Sequence, residues 1–133
     1  MGITIKRAVR VRVIVSEEFK AHRSAEIGAA IAKLEGVAKR IEFELESVSK
    51  RIDKSPGQVA AVVERLRAGQ RRNEQARAAL ARELDQVGSL EIGSEYDRGA
   101  LEGLVEVDVG DDFAKLSSCE IVVKDDKIVE IRS

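Results

Sequence analysis

The sequence has little of what small enzymes and disulfide-stapled domains are usually made from. Its 133 residues include no tryptophan, one tyrosine, one histidine, one proline and one cysteine. A single cysteine, Cys119, excludes an internal disulfide. Neither a signal peptide nor an apolar run long enough to cross a bilayer is present, so we expect a cytoplasmic protein without membrane contact.

Catalytic chemistry needs a nucleophile with a base, a metal-ligand cluster or a phosphate loop, and none of these patterns is found at usable spacing. His22 has no second histidine or cysteine nearby, and Cys119 borders a predicted strand, where a small buried residue is expected. The acid pairs 111–112 and 125–126 lack the spacing of a calcium-binding loop and suit turns. We therefore predict no catalytic, cofactor-binding or metal site, and a protein that is not an enzyme.

Two long stretches carry residues at alternating spacings of four and three, which is typical of a coiled-coil seam. The first seam consists of Ile27, Ile31, Leu34, Ala38, Ile41, Leu45, Val48 and Ile52. The second consists of Val59, Val63, Leu66, Gln70, Asn73, Arg77, Leu80, Leu84 and Val87. Residues whose numbers sum to 111, such as Ile31 and Leu80, would meet in one register. The pattern predicts an antiparallel coiled-coil hairpin over residues 17–87, with arms of roughly 50 Å.

Local signals support this hairpin. Ser16 can cap the first helix, and Ser55 and Pro56 suit the start of the second, with the tip at 53–58. Gln70, Asn73 and Arg77 replace apolar residues in the second seam. Two explanations remain open: polar seam residues that fix the register, or a weakened middle that opens to accept a partner helix or strand.

The two ends of the chain read as β-structure. Apolar residues from Ile3 to Val15 fall mainly on odd positions, as in a half-buried strand, and 101–109 alternate in the same way. Residues 1–16 carry a net charge of +4 and residues 88–133 a net charge of −7, which favours pairing between them. Residues 120–124 and 127–132 indicate a hairpin closed by Asp125 and Asp126, and 90–92 a further short strand.

The predicted fold class is therefore α+β. A long antiparallel coiled-coil hairpin projects from a small antiparallel sheet or open barrel of about four or five strands. We expect a single domain, 1–133, with a β-base at 1–16 and 88–133 and the hairpin at 17–87.

The last third of the chain also carries a series of short motifs. They are Ile92-Gly93-Ser94-Glu95, Leu101-Glu102-Gly103, Val109-Gly110-Asp111, Ile121-Val122-Val123-Lys124-Asp125 and Val129-Glu130-Ile131-Arg132. With the first strand and the charged helical middle, these motifs resemble the YlqD-like proteins of Firmicutes and cyanobacteria. One departure is Asp125-Asp126, where the family prefers Asp-Gly. The resemblance implies a bacterial protein of unknown function, and it carries over no activity and no functional residue.

Two features of the helices are candidates for binding a partner. Phe43 points away from the seam and is either an isolated exposed ring or an anchor for a partner. Arginines 65, 67, 71 and 72 give part of the second helix a positive charge. They could contact RNA phosphates, or they could pair with glutamates 35, 42, 44 and 46 of the facing arm. The shortage of aromatics argues against stacking on single-stranded nucleic acid.

The most economical hypothesis is a non-enzymatic interaction module, in which the coiled-coil arm docks to an unidentified protein or ribonucleoprotein partner. The alternative is direct RNA or ribosome binding through Arg65, Arg67, Arg71 and Arg72, with Phe43 as a further contact. The sequence permits a homo-oligomer without requiring one.

Overall fold

Branched apolar side chains alternate with basic ones at the start of the chain and form the first strand, β1 (Ile3–Ile14). The computed structural model describes residues 1–50 and 55–132. The remaining elements are α1 (Glu17–Ser49), α2 (Pro56–Ser89), β2 (Glu95–Val107), α3 (Phe113–Ser117), β3 (Glu120–Lys124) and β4 (Lys127–Arg132). The predicted α+β class, with two long packed helices and a sheet built from both ends of the chain, is confirmed.

Both long helices begin where their capping residues predict. The Ser16 hydroxyl accepts a hydrogen bond from the Phe19 amide at 3.1 Å, which satisfies one of the free donors of the first turn. Ser55 and Gln58 cap α2 reciprocally, since the Gln58 amide donates to the Ser55 hydroxyl and the Ser55 amide donates to the Gln58 side chain, both at 3.3 Å. This is a capping box, and Pro56 occupies the first helical position.

The seam predicted from the spacing is the buried side of the two helices. Every described seam position is buried or half-buried, and Ile27, Val48 and Val87 are among the most buried side chains of the hairpin. Ile52, which was predicted to meet Val59, lies outside the described residues. So does Asp53, the first residue of the predicted tip.

Contacts between the helices agree with the predicted register to within one helical turn. The Asn73 side-chain amide donates to the Leu34 carbonyl at 2.8 Å, and this carbonyl points along the helix toward Ala38, the predicted neighbour of Asn73. Near the other end of the helices, Arg23 and Glu83 form an ion pair. The two arms are therefore antiparallel and in register.

The sheet contains four strands in the order β2-β1-β3-β4. β1 pairs antiparallel with β2, from Ile3 opposite Val107 to Ile14 opposite Glu95, and β3 pairs antiparallel with β4. β1 and β3 run parallel, so the sheet is mixed. The sequence analysis had predicted a wholly antiparallel sheet, and this part of the prediction was wrong. The reason is the connection 108–119, which returns the chain to the opposite side of β1 before β3 begins.

Three local features differ from the sequence prediction. α3 was missed; it begins where the Asp112 carboxylate accepts a hydrogen bond from the Ala114 amide. Residues 90–92 lead into a turn and do not form a strand. β2 starts at Glu95, earlier than predicted, because a bulge at Gly99, with φ +97°, lets the strand continue past an extra residue.

The chain divides into two compact units, Met1–Ala21 with Leu90–Ser133, and His22–Ser89. The first turn of α1 belongs to the sheet unit. Phe19 packs against Tyr96 of β2 with ring centroids 5.6 Å apart, and Lys20 donates to the Leu90 carbonyl at 2.9 Å. The ring of Phe19 therefore contacts the sheet.

Candidate interaction surface of the helical hairpin

Phe43 lies on the side of α1 opposite the seam. It follows the seam residue Ile41 by two positions, which places it about 200° around the helix axis. Its side chain is 69% exposed, and its neighbours Glu42 and Glu44 are exposed as well. The hairpin therefore presents an aromatic ring to solvent in the middle of an acidic segment.

The four candidate arginines of α2 are all exposed, but they do not form a single stripe. Arg65 and Arg72 are seven residues apart and lie on one flank of the helix. Arg67 and Arg71, four residues apart, lie on the other flank, roughly 130° away around the axis. A partner that binds one flank would contact two of these arginines and leave the other two in water.

Three of these arginines have no ionic partner among the described residues. Arg71 pairs with Glu64 of its own helix at 3.2 Å. Within the part of the chain that the structure describes, Arg65, Arg67 and Arg72 form no ion pair. The pairing with glutamates 35, 42, 44 and 46 that the sequence left open is not formed among these residues, and the three guanidinium groups are available to a ligand.

The polar middle of the seam is closed by hydrogen bonds. Asn73 is 6% exposed; its amide group donates to the Leu34 carbonyl, and its oxygen accepts from Arg77 Nε at 2.8 Å. No buried side-chain nitrogen or oxygen of the described residues lacks a hydrogen-bond partner. These contacts support the explanation that Asn73 fixes the register over the explanation that the middle opens for a partner.

The structure shows the surroundings of the isolated histidine, the cysteine and the acid pairs. Exposed His22 contacts Glu26 at 2.9 Å one turn further along α1, and Cys119 is buried. Asp111 accepts a hydrogen bond from the Asp108 amide within its own turn, and Asp125, a turn residue with φ +49°, accepts one from the distant Ser16 hydroxyl.

No group of three or more His, Cys, Asp or Glu side chains is arranged to hold a metal ion in residues 1–50 and 55–132. Over the same residues, none of the helices combines the length and apolar composition that a bilayer crossing requires.

Comparison with known proteins identifies the family. Residues 3–132 match the family described as "YlqD protein". The chain belongs to the YlqD family. A crystal structure of a protein of unknown function from Synechococcus sp. WH 8102 is similar to this YlqD family member, with a TM-score of 0.85 and 27% sequence identity. The similarity covers 100% of this chain and 96% of that chain. None of the curated proteins matches the sequence.

An ionic network on the sheet of this YlqD protein was missed by the sequence analysis. Arg132 lies within ion-pair distance of Glu95, at 2.7 Å, and of Glu120 and Glu130. Its hydrogen bonds to Glu130 and Glu95 raise the pKa of the Arg132 guanidinium above its usual value. Glu95 lies in β2 and Arg132 in β4, so only the strand order could have predicted this network.

A second charged contact depends on the bulge in β2. The Gly99 amide donates to the Asp97 carboxylate at 2.9 Å, and Arg10 of β1 donates to it at 2.5 Å. These bonds, the first of them the stronger cause, hold the pKa of Asp97 below its usual value. Both groups that donate to the Asp97 carboxylate, the Gly99 amide and the Arg10 guanidinium, belong to this chain, so the contact stabilises the sheet.

Proposed function

We propose that this protein is a non-enzymatic interaction module whose coiled-coil hairpin docks to a protein or ribonucleoprotein partner. The observation that carries the proposal is the exposed ring of Phe43, opposite the seam. Aromatic residues that bury their ring on binding are among the commonest energetic anchors of interfaces. The seam already buries the apolar sides of both helices, so Phe43 contributes nothing to the packing between them.

Charged side chains of both signs surround Phe43, since Glu46 lies one turn after it and Lys39 and Arg40 lie one turn before it, all of them exposed. Residues Glu42, Glu44 and Glu46 are exposed and form no ion pair within the described ranges. A complementary surface would offer an apolar pocket for the ring, with lysine or arginine on the side that meets these three glutamates. Because rim charges act mainly on the association rate, such binding should be faster at low salt.

Site-specific photo-crosslinking in the native cells tests this proposal. A photoreactive phenylalanine analogue replaces Phe43 in one version of the protein and Leu104 in a control version. Leu104 is a suitable control because it is 72% exposed and lies on β2 in the other compact unit. We expect a defined crosslinked product from position 43 that is absent from position 104.

A second experiment uses the unlabelled partner recovered in this way. Phe43→Ser should weaken its binding by about tenfold to a hundredfold, whereas Leu104→Ser should leave it unchanged. If position 43 gives no product, or if both substitutions weaken binding equally, the hairpin is not the docking element.

Direct binding to RNA is the alternative function, favoured by the exposed guanidinium groups of Arg65, Arg67 and Arg72. Contacts of this kind attract phosphates without reading bases, and they weaken as salt rises because counterions are released. Arg65 and Arg72 are separated by about 10 Å along the helix axis, so one backbone strand running along that flank could contact both.

Purified duplex RNA and a salt titration test the alternative. Because the arginines lie on two flanks, two double variants should have different effects on RNA binding. One combines Arg65→Glu with Arg72→Glu, and the other combines Arg67→Glu with Arg71→Glu. The double variant on the binding flank should lower the slope of log K against log salt by roughly 1.5 to 2, the value for two lost phosphate contacts. Arg98→Glu on the sheet is the matched control. Binding that does not weaken with salt, or an equal loss in all three variants, would rule out this function.

A further inference from the structure

The four-stranded sheet has two chemically different faces. Side chains alternate between the faces along each strand, and residues paired across strands share a face. The register therefore places Ile3, Ile5, Leu101, Val105, Ile128 and Ile131 on one face, called here the apolar face. Arg10, Arg12, Asp97, Glu120 and Arg132 lie on the opposite, charged face.

The three arginines of the charged face are paired within the chain. Arg10 pairs with Asp97 at 2.5 Å, Arg12 approaches Glu120 at 3.6 Å, and Arg132 approaches Glu120 at 3.7 Å. Each arginine thus has a carboxylate from another strand. These three guanidinium groups need no second molecule to neutralise them.

At one end of the apolar face the Phe19 ring packs against Tyr96, the partner of Val13, but residues away from this contact are exposed. Ile3 is 63% exposed, Leu101 60%, Ile128 59% and Ile131 69%. Isolated apolar residues on a surface are ordinary, but these four share one face of one sheet. A sheet normally buries its apolar face against a second layer, and the exposed fractions show that this part of the face has none.

We propose that a second copy of this chain supplies that layer, and that two sheets pack with their apolar faces together in a symmetric dimer. Two twisted sheets pack in this way with their strands aligned and about 10 Å between the layers. An identical sheet has the same twist and the same apolar side chains, so the interface is self-complementary, as a two-fold dimer requires.

The size of the face suits a dimer. At roughly 100 Å² of apolar surface for a fully exposed leucine or isoleucine side chain, the four most exposed residues present about 250 Å². Half-buried neighbours such as Ile5, Val9 and Val105 raise the sum to roughly 350 Å². A standard interface buries about 800 Å² per partner, somewhat more than half of it apolar, so the face supplies most of the apolar part.

Arg7 is the charged exception of β1 on this face. It lies opposite Gly103, is half-buried, and forms no ion pair within the described ranges. The space above Gly103 is taken by Val9, whose Cγ2 would lie 3.3 Å from a Cβ at position 103. Arg7 lies between the pairs Ile5–Val105 and Val9–Leu101, so in the dimer its stem must cover apolar surface while its guanidinium extends to water at the edge of the interface.

The test is the mass of the full chain in solution, measured by light scattering at tens of micromolar, for the wild type and two variants. Leu101→Lys puts a charge on the apolar face, and Leu104→Lys puts the same charge on the opposite face of the same strand. Because both leucines are exposed, neither change buries a charge within the monomer. Circular dichroism checks that both variants are folded, and Ile131→Lys is a second variant of the apolar face.

We expect 29.2 kDa, twice the chain mass of 14.6 kDa, for the wild type and for Leu104→Lys. We expect 14.6 kDa for Leu101→Lys and Ile131→Lys, because a buried unpaired lysine should weaken the dimer by on the order of a hundredfold. A wild-type monomer would overturn the proposal. So would a dimer that persists in both apolar-face variants, or one that only Leu104→Lys dissociates, because its interface would lie elsewhere.

Discussion

Removing the buried amide at the centre of the seam should destabilise the hairpin by about 2 kcal/mol. Asn73 makes two hydrogen bonds of 2.8 Å, one to the Leu34 carbonyl and one from the Arg77 guanidinium. A neutral bond contributes about 1 kcal/mol and one to a charged group about 1.5 to 3 kcal/mol. The effect of Asn73→Ala falls below the sum, because the Leu34 carbonyl keeps its helical bond and half-buried Arg77 can turn to water.

Urea unfolding followed by far-ultraviolet circular dichroism measures this change. Asn73→Ala, Arg77→Ala and the double variant form a cycle whose coupling energy should be about 1 kcal/mol. The double variant separates the direct bond from general effects of shortening either side chain. A loss below about 0.5 kcal/mol for Asn73→Ala, or additive single effects, would refute the role assigned to this pair.

The variant Asn73→Leu separates the contribution of Asn73 to the free energy of unfolding from its role in fixing the register of the two helices. Leucine would add apolar burial of roughly 1.5 to 3 kcal/mol to the seam and lose the two hydrogen bonds, so its free energy of unfolding should stay close to that of the wild type. What the variant loses is the requirement that residue 73 sit beside the Leu34 carbonyl. We expect more than one register in this variant, whereas a single register would show that the apolar residues alone determine it.

Three further predictions concern capping, turn geometry and pH. Ser16→Ala should cost about 1 to 2 kcal/mol in urea unfolding, because the hydroxyl caps α1 and donates to Asp125. Asp126→Gly should add about 0.5 kcal/mol, because Asp126 has φ +65°, a conformation that glycine adopts without strain; a loss would contradict the turn assignment. Asp97→Asn should lower stability at neutral pH. Because the pKa of Asp97 is lowered in the folded protein, its contribution to stability is fully present above the ordinary pKa of about 3.9 and is lost as pH falls toward the lowered pKa. The difference in stability between Asp97→Asn and wild type should therefore shrink in acid. A difference that grows in acid would contradict the pairing with Arg10.

Features with a local cause could be predicted from the sequence. The seam follows from a spacing of four and three residues, and the helix starts follow from Ser16 and from Ser55 with Pro56, because capping depends on residues within one turn. The bounds of β3 and β4 agree with the predicted hairpin at 120–124 and 127–132. Even the Asp125-Asp126 turn, with φ of 49° and 65°, follows from the two-residue loop length.

Features that depend on distant parts of the chain could not be predicted. The parallel pairing of β1 with β3 is decided by the path of the connection 108–119, which has no periodic pattern. The contact between Arg10 and Asp97 requires the bulge at Gly99, and the contact between Arg132 and Glu95 requires the complete strand order. Charge balance between the ends of the chain indicated that strands would pair, but not which charges would meet.

The candidate surface was only partly predictable. The exposed position of Phe43 follows from its place two residues after a seam residue. The distribution of Arg65, Arg67, Arg71 and Arg72 over two flanks also follows from helical periodicity, yet a count of charges alone groups them together. Whether each arginine has an ionic partner depends on side-chain geometry that spacing does not determine.

The hairpin exists only if the two apolar seams pack against each other within one molecule, and disulfide trapping tests this packing directly. Ile31→Cys with Leu80→Cys, in a Cys119→Ser background, should oxidise rapidly to a crosslinked monomer because the two positions face each other across the seam. Ile31→Cys with Val87→Cys is the control, since it is displaced by seven residues or about 10 Å, and should stay reduced. Rapid crosslinking of the control pair, or disulfide-linked dimers in place of a crosslinked monomer, would contradict the intramolecular register on which the hairpin and its docking role depend.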